Sequence, residues 1–335
     1  MKRDEIRALA EQAYAILDDS QCEAAVERAL QVFKNAPHDP ESYLLMSEIA
    51  GEGRHYDQSL AWIDLGLKQH PRHEGLLLKK ASILIDGFED IDEAFRILCD
   101  LKSGFGNQSL AELKKTIGPN LLLDIYLLLV DCYRLKSDYH QANAYARWAK
   151  ECSPLDENAL IALATTEFEL GNYLQALTLI EPIDSRTEPS DFYWLKAQIN
   201  CAQGNFLDAD DAFLKANKLD KARYHRPIRL NDACFLAAFE QGLLALPREI
   251  REFVQTNAAE IHNVVPHDMV KNSNGTLSPM ACIAIEATKE QTRGHVNILS
   301  LYQKNIENLA SKKEEVKDLI ASALLHELGK LIAQR

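Results

Sequence analysis

Along most of the chain, apolar residues recur every three or four positions, which is the pattern of amphipathic helices. The clearest copies share a turn signature of a glycine or serine, a polar residue, an aromatic residue and, three positions later, an alanine. The aromatic and alanine pairs are Tyr139 with Ala142, Tyr173 with Ala176, and Phe206 with Ala209. Because the aromatic residues lie 34 and 33 positions apart, the pattern predicts stacked copies of one helix–turn–helix unit.

Weaker copies at residues 55–59 and 91–94 extend the pattern. The helix-breaking Pro37, Pro71 and Pro154 recur at the same place in the repeat. The pattern resembles the tetratricopeptide repeat (TPR). The resemblance implies an α-solenoid of six repeats over residues 5–222, starting near residues 6, 40, 75, 123, 157 and 190. The first helix is predicted at Ile6–Ile16.

An insert near residues 102–122 delays the fourth repeat. Residues 103–108 predict a glycine-rich loop, and residues 109–115 predict one short helix. A tolerated surface loop and a working surface are both open interpretations of this insert.

The TPR resemblance also implies a binding groove, because the first helices of such repeats line a concave surface that holds partner peptides. The family's groove positions, carried onto this chain, are mostly acidic or apolar. They are Glu41, Leu44, Glu48, Asp124, Leu127, Asp131, Arg134, Asn158, Ile161, Phe168, Asp191, Trp194 and Gln198. The expected ligand is a basic or mixed basic-apolar peptide. For Trp194, packing between repeats is the alternative to a groove anchor.

The residues of the family's carboxylate clamp are absent from their positions. A lysine–asparagine clamp grips the C-terminal carboxylate of chaperones in the best-known variant. Here those positions hold Leu44, Glu48, Ile161 and Thr165. We therefore do not expect the chain to bind a chaperone tail.

Charge supports an acidic repeat surface. The net charge is −13, and residues 225–335 hold as many basic as acidic side chains, so the whole excess lies on the repeats. Nucleic acid is not expected as a partner, because phosphate binding needs a basic surface. A solvated acidic surface that only aids solubility is the alternative to a selective groove.

The lengths of the apolar runs and the positions of the cysteines indicate the cellular compartment and whether the chain contacts a membrane. No apolar run approaches the roughly 20 residues that span a bilayer, and the N-terminus lacks the apolar core of a signal peptide. The seven cysteines are scattered, with no CxxC pair, which does not indicate a disulfide framework. We expect a cytoplasmic protein without membrane contact.

After Pro227 the repeat period ends and residues 228–335 predict a small α+β domain. Helices are predicted at residues 228–245, from Pro247 onward, and at residues 311–332. Strands are predicted at residues 261–266, 280–285 and 296–302, with a turn at residues 272–275 between the first two.

This order of elements resembles the minimal zincin-like metallopeptidase domain, and the last helix carries His326-Glu327-Leu328-Gly329-Lys330 in place of HExxH. The resemblance implies His326 as a zinc ligand and Glu327 as the catalytic base. Lys330 occupies the second ligand position, and a protonated lysine cannot bind zinc. We therefore expect a degenerate domain without a cofactor, in which Glu327 lies on the buried arc of the helix and pairs with Lys330.

Three interpretations of the whole chain remain open. The preferred one is a non-catalytic interaction scaffold, a TPR solenoid joined to a degenerate zincin-like domain. The second is a zinc-dependent peptidase with an unusual ligand set, for which His262, His267, Asp268 and His295 are candidates. The third is a TPR adaptor whose C-terminal domain is only a cap and whose His326 and Glu327 are an ordinary polar helix end.

Overall fold

The computed structural model describes residues 22–104, 109–116, 118–183, 189–290 and 294–333. The chain forms two compact units, residues 1–159 and residues 160–335, called unit 1 and unit 2 below. The predicted domain boundary between residues 222 and 228 falls inside unit 2. Within the described ranges, no helix has the length and apolarity needed to cross a membrane. The predicted helix Ile6–Ile16 lies outside the described residues.

Unit 1 is built of helices that pack as successive pairs. The helices are α1 (Cys22–Asn35), α2 (Pro40–Glu52), α3 (Tyr56–Gln69), α4 (Glu74–Phe88), α5 (Ile91–Ser103), α6 (Leu110–Thr116), α7 (Pro119–Leu135) and α8 (Tyr139–Cys152). The pairs α2–α3, α4–α5 and α7–α8 are helical hairpins at the positions predicted for repeats 2 to 4. The next helix, α9 (Glu157–Glu169), crosses the boundary between the units.

Small residues and local caps explain why these segments form hairpins. Where α2 and α3 meet, Gly66 lies so close to Tyr43 that an added Cβ would be 3.0 Å from the Tyr43 Cβ. The Asp138 side chain accepts a hydrogen bond from the backbone N–H of Gln141 and so caps α8, as helix N-termini require. Just before it, Ser137 adopts a φ of 58° to close the turn.

The insert contains the predicted short helix, α6. Its start is fixed by a capping box, in which the Glu112 carboxylate accepts hydrogen bonds from the backbone N–H and the hydroxyl of Ser109. Residues 105–108 and 117 lie outside the described residues. The following helix, α7, begins at Pro119, four residues before the predicted start of repeat 4, because proline is favoured in the first turn.

Unit 2 joins the last two repeats to the α+β part of the chain. After α9 come α10 (Tyr173–Ile180), α11 (Ser190–Ala202), α12 (Phe206–Leu219), α13 (Asp232–Leu244), α14 (Arg248–Thr256), β1 (Ala258–His262), α15 (His267–Asn272), β2 (Ile283–Glu290), β3 (Gly294–Tyr302), α16 (Gln303–Leu309) and α17 (Glu315–Ala333). The pairs α9–α10 and α11–α12 occupy the positions predicted for repeats 5 and 6.

The sheet of unit 2 has the order β1–β3–β2. The central strand β3 is parallel to β1, with Ala258 opposite Ile298, and antiparallel to β2, with Ile283 opposite Leu301. The buried faces of β2 and β3 pack against α13 and α17 in one apolar core that includes Phe235, Leu299 and Ile320.

The first two predicted strands differ from the structure in position, and the second of them, β2, occupies Ile283–Glu290 instead of residues 280–285. The first strand lies at Ala258–His262 instead of residues 261–266, because Val265 is a buried contact in the connection to α15 and Pro266 is the N-cap of that helix. The predicted turn at residues 272–275 is present, with Asn274 and Gly275 at positive φ, but α15 precedes it. The helix α16 was not predicted.

Candidate functional site

The predicted groove positions of unit 1 lie on first helices that contact one another in succession, α2 with α4 and α4 with α7. On α2, Glu41, Leu44 and Glu48 are half-buried, and Glu48 forms an ion pair with Lys79 of α4.

On α7, Asp124 is exposed, whereas Asp131 and Arg134 are half-buried and lie 3.7 Å apart as an ion pair. Leu127 is half-buried and Asn158 is exposed. Acidic and apolar side chains on these helices are therefore at least partly exposed to solvent.

Asp124 has the most distinctive electrostatic environment in this set. Its pKa is raised, first because the protein partly removes the carboxylate from water, and second because the Asp156 carboxylate repels it. No ion-pair partner for Asp124 occurs among the residues that the structure describes. The Asp156 side chain meanwhile caps α9 by accepting a hydrogen bond from the Ala159 N–H at 2.9 Å. Asp156 was not among the predicted site residues, although an aspartate just before a helix is a recognisable N-cap signal.

The groove positions of unit 2 contact residues of the same chain. Phe168 is completely buried, with its ring 5.4 Å from the Tyr173 ring, so its prediction as a peptide contact was wrong. Its position on a first helix predicted exposure, but the Met280 side chain from the α+β part packs against the same apolar cluster.

Asp191 and Trp194 also contact residues of the same chain. The Asp191 carboxylate accepts a hydrogen bond from the Tyr224 hydroxyl and forms an ion pair with Arg223 at 3.0 Å. The Trp194 ring stacks on Tyr224 at 4.8 Å, and Val264 packs against the cluster that holds Trp194. Trp194 therefore packs within the protein, as the alternative interpretation predicted. Gln198 is half-buried.

The predicted zinc-site residues lie on α17. The His326 side chain is 69% exposed and its Nε2 lies 3.9 Å from the Glu327 Oε1; the Glu327 side chain is 29% exposed. The buried stripe of α17 contains Val316, Ile320, Leu324 and Leu328. Glu327, which was predicted to lie within the buried arc, is half-buried in the structure and therefore less enclosed than these four residues. The Lys330 side chain lies outside the described part.

Those alternative ligands that the structure describes form no metal-binding group with His326. The His262 Nε2 lies 3.2 Å from the Glu260 carboxylate, His267 contacts the turn of repeat 5 through its Nε2, 2.8 Å from the Gly171 carbonyl, and Asp268 is exposed. The His295 side chain lies outside the described residues. Within the described ranges, no group of three or more His, Cys, Asp or Glu side chains is placed to hold a metal ion.

Comparisons with known proteins find similar chains among solved structures. No protein-family model and no curated protein matches the sequence. Among solved structures, the chain is similar to PilW, a widely conserved type IV pilus biogenesis factor, at 16% identity and a TM-score of 0.49, with 66% of this chain and 96% of that chain covered. It is also similar to Pseudomonas aeruginosa PilF (13%, TM-score 0.48, coverages 66% and 94%) and to a thermophilic TPR protein of Thermus thermophilus (16%, TM-score 0.43, coverages 55% and 93%).

Proposed function

We propose that the chain is a non-catalytic protein-interaction scaffold that holds a basic or mixed basic-apolar peptide on the first helices of unit 1. The observation that carries this proposal is Asp124, an exposed carboxylate with a raised pKa, a second carboxylate nearby and no cationic partner among the described residues. In this proposal the partner is a protein in the cytoplasm, and neither nucleic acid nor a membrane is bound.

A cationic side chain placed beside Asp124 relieves the repulsion between Asp124 and Asp156. Such a contact also lowers the raised pKa of Asp124, so part of the binding energy comes from the removal of an unfavourable charge arrangement. The half-buried Leu44 and Leu127 supply apolar contacts on the same set of helices. Binding of this kind weakens as salt screens the charges.

The test is charge reversal with a matched control. The variant Asp124→Lys with Asp131→Lys changes the proposed surface, whereas Glu27→Lys with Asp211→Lys changes exposed acids of second helices by the same net charge. Asp210 is unsuitable as a control because it pairs with Arg229. Fluorescence anisotropy with a labelled peptide of alternating lysine and leucine measures the affinity.

We expect the first variant to weaken binding by about tenfold or more, since each lost charge contact contributes on the order of 1 kcal/mol, and the control to have little effect. Equal effects of the two variants would support the solvated acidic surface instead.

For the α+β part of unit 2 we propose that the zincin-like pattern is degenerate and does not hydrolyse peptides. The support is chemical: His326 is one ligand candidate, and Lys330 stands where zinc needs a second imidazole. We expect elemental analysis of untagged protein to find less than stoichiometric zinc, and Glu327→Gln to change stability without changing any turnover. Stoichiometric zinc that is lost in His326→Ala, together with chelator-sensitive cleavage of casein, would establish the peptidase instead.

A further inference from the structure

The turns of repeats 5 and 6 differ chemically from those of repeats 3 and 4. In repeats 3 and 4, Asp90 and Asp138 cap the second helix with their carboxylates. The equivalent positions of repeats 5 and 6 are Asn172 and Asn205, and neither side chain forms a capping hydrogen bond. Two negative charges are therefore replaced by neutral amides, and the first N–H groups of α10 and α12 donate no hydrogen bond to their N-cap side chains.

A second difference lies two positions further along each turn. Repeats 3 and 4 carry the polar Asp92 and His140 there, whereas repeats 5 and 6 carry Leu174 and Leu207. These leucines are 77% and 86% exposed. Two large apolar side chains thus stand in water at equivalent places on neighbouring repeats.

The altered turns border one cavity of unit 2, called the turn cavity. Its volume is about 770 Å³, and α15 forms its remaining wall. The polar side chains that line it are Asn172, Gln175, Gln203, Asn205, His267 and Lys271. No carboxylate is among the described lining residues, although the chain has a net charge of −13. Its lining thus carries the cation Lys271 and no carboxylate, while Glu167 beside it accepts a hydrogen bond from the Asn172 amide at 2.6 Å.

Several contacts hold the wall formed by α15 against the repeats. The His267 ring lies 4.6 Å from the Tyr173 ring, and its Nε2 lies 2.8 Å from the Gly171 carbonyl oxygen. The Lys271 ammonium donates a hydrogen bond to the Asn172 side-chain oxygen. Tyr173 also lines the turn cavity, and its buried hydroxyl has no hydrogen-bond partner among the described residues. The cavity is thus preorganised, which reduces the entropic cost of binding.

We propose that the turn cavity binds an acidic peptide segment flanked by apolar residues. A carboxylate of the peptide accepts hydrogen bonds from the Lys271 ammonium and the cavity amides, with further attraction from the N-terminal ends of α10 and α12. Apolar side chains of the peptide cover Leu174 and Leu207. This site differs from the proposed peptide surface of unit 1 in position and in the sign of the charge that it selects.

The experiment uses the full chain and a labelled peptide in which glutamate and leucine alternate. Lys271→Glu reverses the exposed cation of the cavity, and Lys221→Glu makes the same change at an exposed lysine outside the cavity lining. We expect Lys271→Glu to weaken binding at least tenfold, roughly the value of a charge-assisted contact, and Lys221→Glu to leave the affinity nearly unchanged.

A second variant tests the apolar half of the proposal. Leu174→Ser with Leu207→Ser removes exposed side chains, so thermal unfolding should change little while the affinity for the peptide falls about tenfold. Unchanged affinity in either the lysine or the leucine variant would overturn the proposal. Lys271→Glu should leave the affinity for the alternating lysine and leucine peptide unchanged, and an equal weakening of that peptide would also overturn the proposal.

Discussion

At the scale of single residues, substitutions of two glycines in equivalent turns distinguish the cost of backbone strain from the cost of a steric clash with a neighbouring helix. Gly171 and Gly204 have φ values of 76° and 80°, so alanine at either position costs about 1–2 kcal/mol of backbone strain. A Cβ at Gly171 would also lie 3.1 Å from Val270 Cγ1, whereas a Cβ at Gly204 would meet nothing within 4 Å. We expect Gly171→Ala to lower the free energy of unfolding more than Gly204→Ala, as measured by urea denaturation.

The difference between these two variants reports the packing of α15 on repeat 5. Equal losses would mean that Val270 moves aside at no cost. Because both residues lie in unit 2 and have the same backbone conformation, each serves as the control for the other.

Asp124 gives a prediction for the dependence of stability on pH. Its pKa is raised in the folded protein, so the folded state binds this proton more readily than the unfolded state does. Its contribution to stability is therefore most favourable below the ordinary carboxyl pKa and is lost as pH rises through the raised value. We expect Asp124→Asn to stabilise the protein at pH 7 and to have no such effect near pH 3.

Denaturant unfolding at several pH values measures this dependence, with Asp211→Asn as the control. Asp211 is exposed and shows no ion pair within the described ranges, so its replacement should change stability little at any pH. A stabilisation by Asp124→Asn that persists at low pH would show that charge repulsion is not its cause.

Whether the role of a single residue can be predicted from the sequence depends on how far along the chain its contact partners lie. The Asp138 cap is encoded within three residues, and the repeat period locates it. The contact of Val264 with the Trp194 cluster joins positions far apart in the sequence. No local pattern reports such a contact, so the groove of repeats 5 and 6 could not be assigned from sequence.

At the scale of secondary-structure elements, the close approach of α13 and α17 depends on one glycine. A Cβ at Gly242 would lie 2.7 Å from the backbone oxygen of Lys317, which cannot move without shifting α17. We expect Gly242→Ala to destabilise the protein by about 1–3 kcal/mol, the usual cost of overpacking. Differential scanning calorimetry detects this as a lowered melting temperature.

The matched control is Gly329→Ala in the same pair of helices. Gly329 lies inside α17, and a Cβ there would meet nothing within 4 Å. Alanine should therefore stabilise the helix by about 0.5–1 kcal/mol through its higher propensity. A stabilising effect of both variants would show that α13 and α17 separate easily.

The helices and strands that could be predicted from the sequence are those whose buried apolar residues recur at a regular spacing. The apolar stripe of α17 and the alternation in β3 are visible in this way. The unpredicted α16 buries polar side chains, among them Gln303, Asn305 and Glu307, and a hydrophobic period cannot reveal a helix whose buried face is polar. Distant segments supply hydrogen bonds to those side chains, such as the Leu230 N–H, which donates to the Glu307 carboxylate at 3.1 Å.

At the scale of the whole molecule, a buried charge network ties repeat 6 to the α+β part of unit 2. Arg229 pairs with Asp210 of α12 and lies 3.7 Å from the fully buried Glu307 of α16, which also contacts Lys304 at 2.9 Å. Glu307→Ala leaves these cations without their buried partner, so we expect a loss of about 3–5 kcal/mol.

This loss should appear in unit 2, where Trp194 is a fluorescent reporter once Trp62 and Trp148 of unit 1 are replaced by phenylalanine. The control is Glu314→Ala, which removes an exposed carboxylate near the start of α17 and should change stability by less than about 0.5 kcal/mol. Similar transitions for both variants would mean that the network contributes little to stability.

The division of the chain after residue 159 has a consequence for synthesis on the ribosome. Unit 1 is complete once its last residue has emerged, but repeats 5 and 6 share their unit with segments made much later. Asn308, which donates a hydrogen bond to Cys201, follows it by 107 residues. At a synthesis rate of about 5–20 residues per second, that interval lasts roughly 5–20 seconds. During it, the nascent repeats carry the apolar surfaces of Phe168 and Trp194 without their later partners, so we expect the chain to depend most on cellular chaperones in this period.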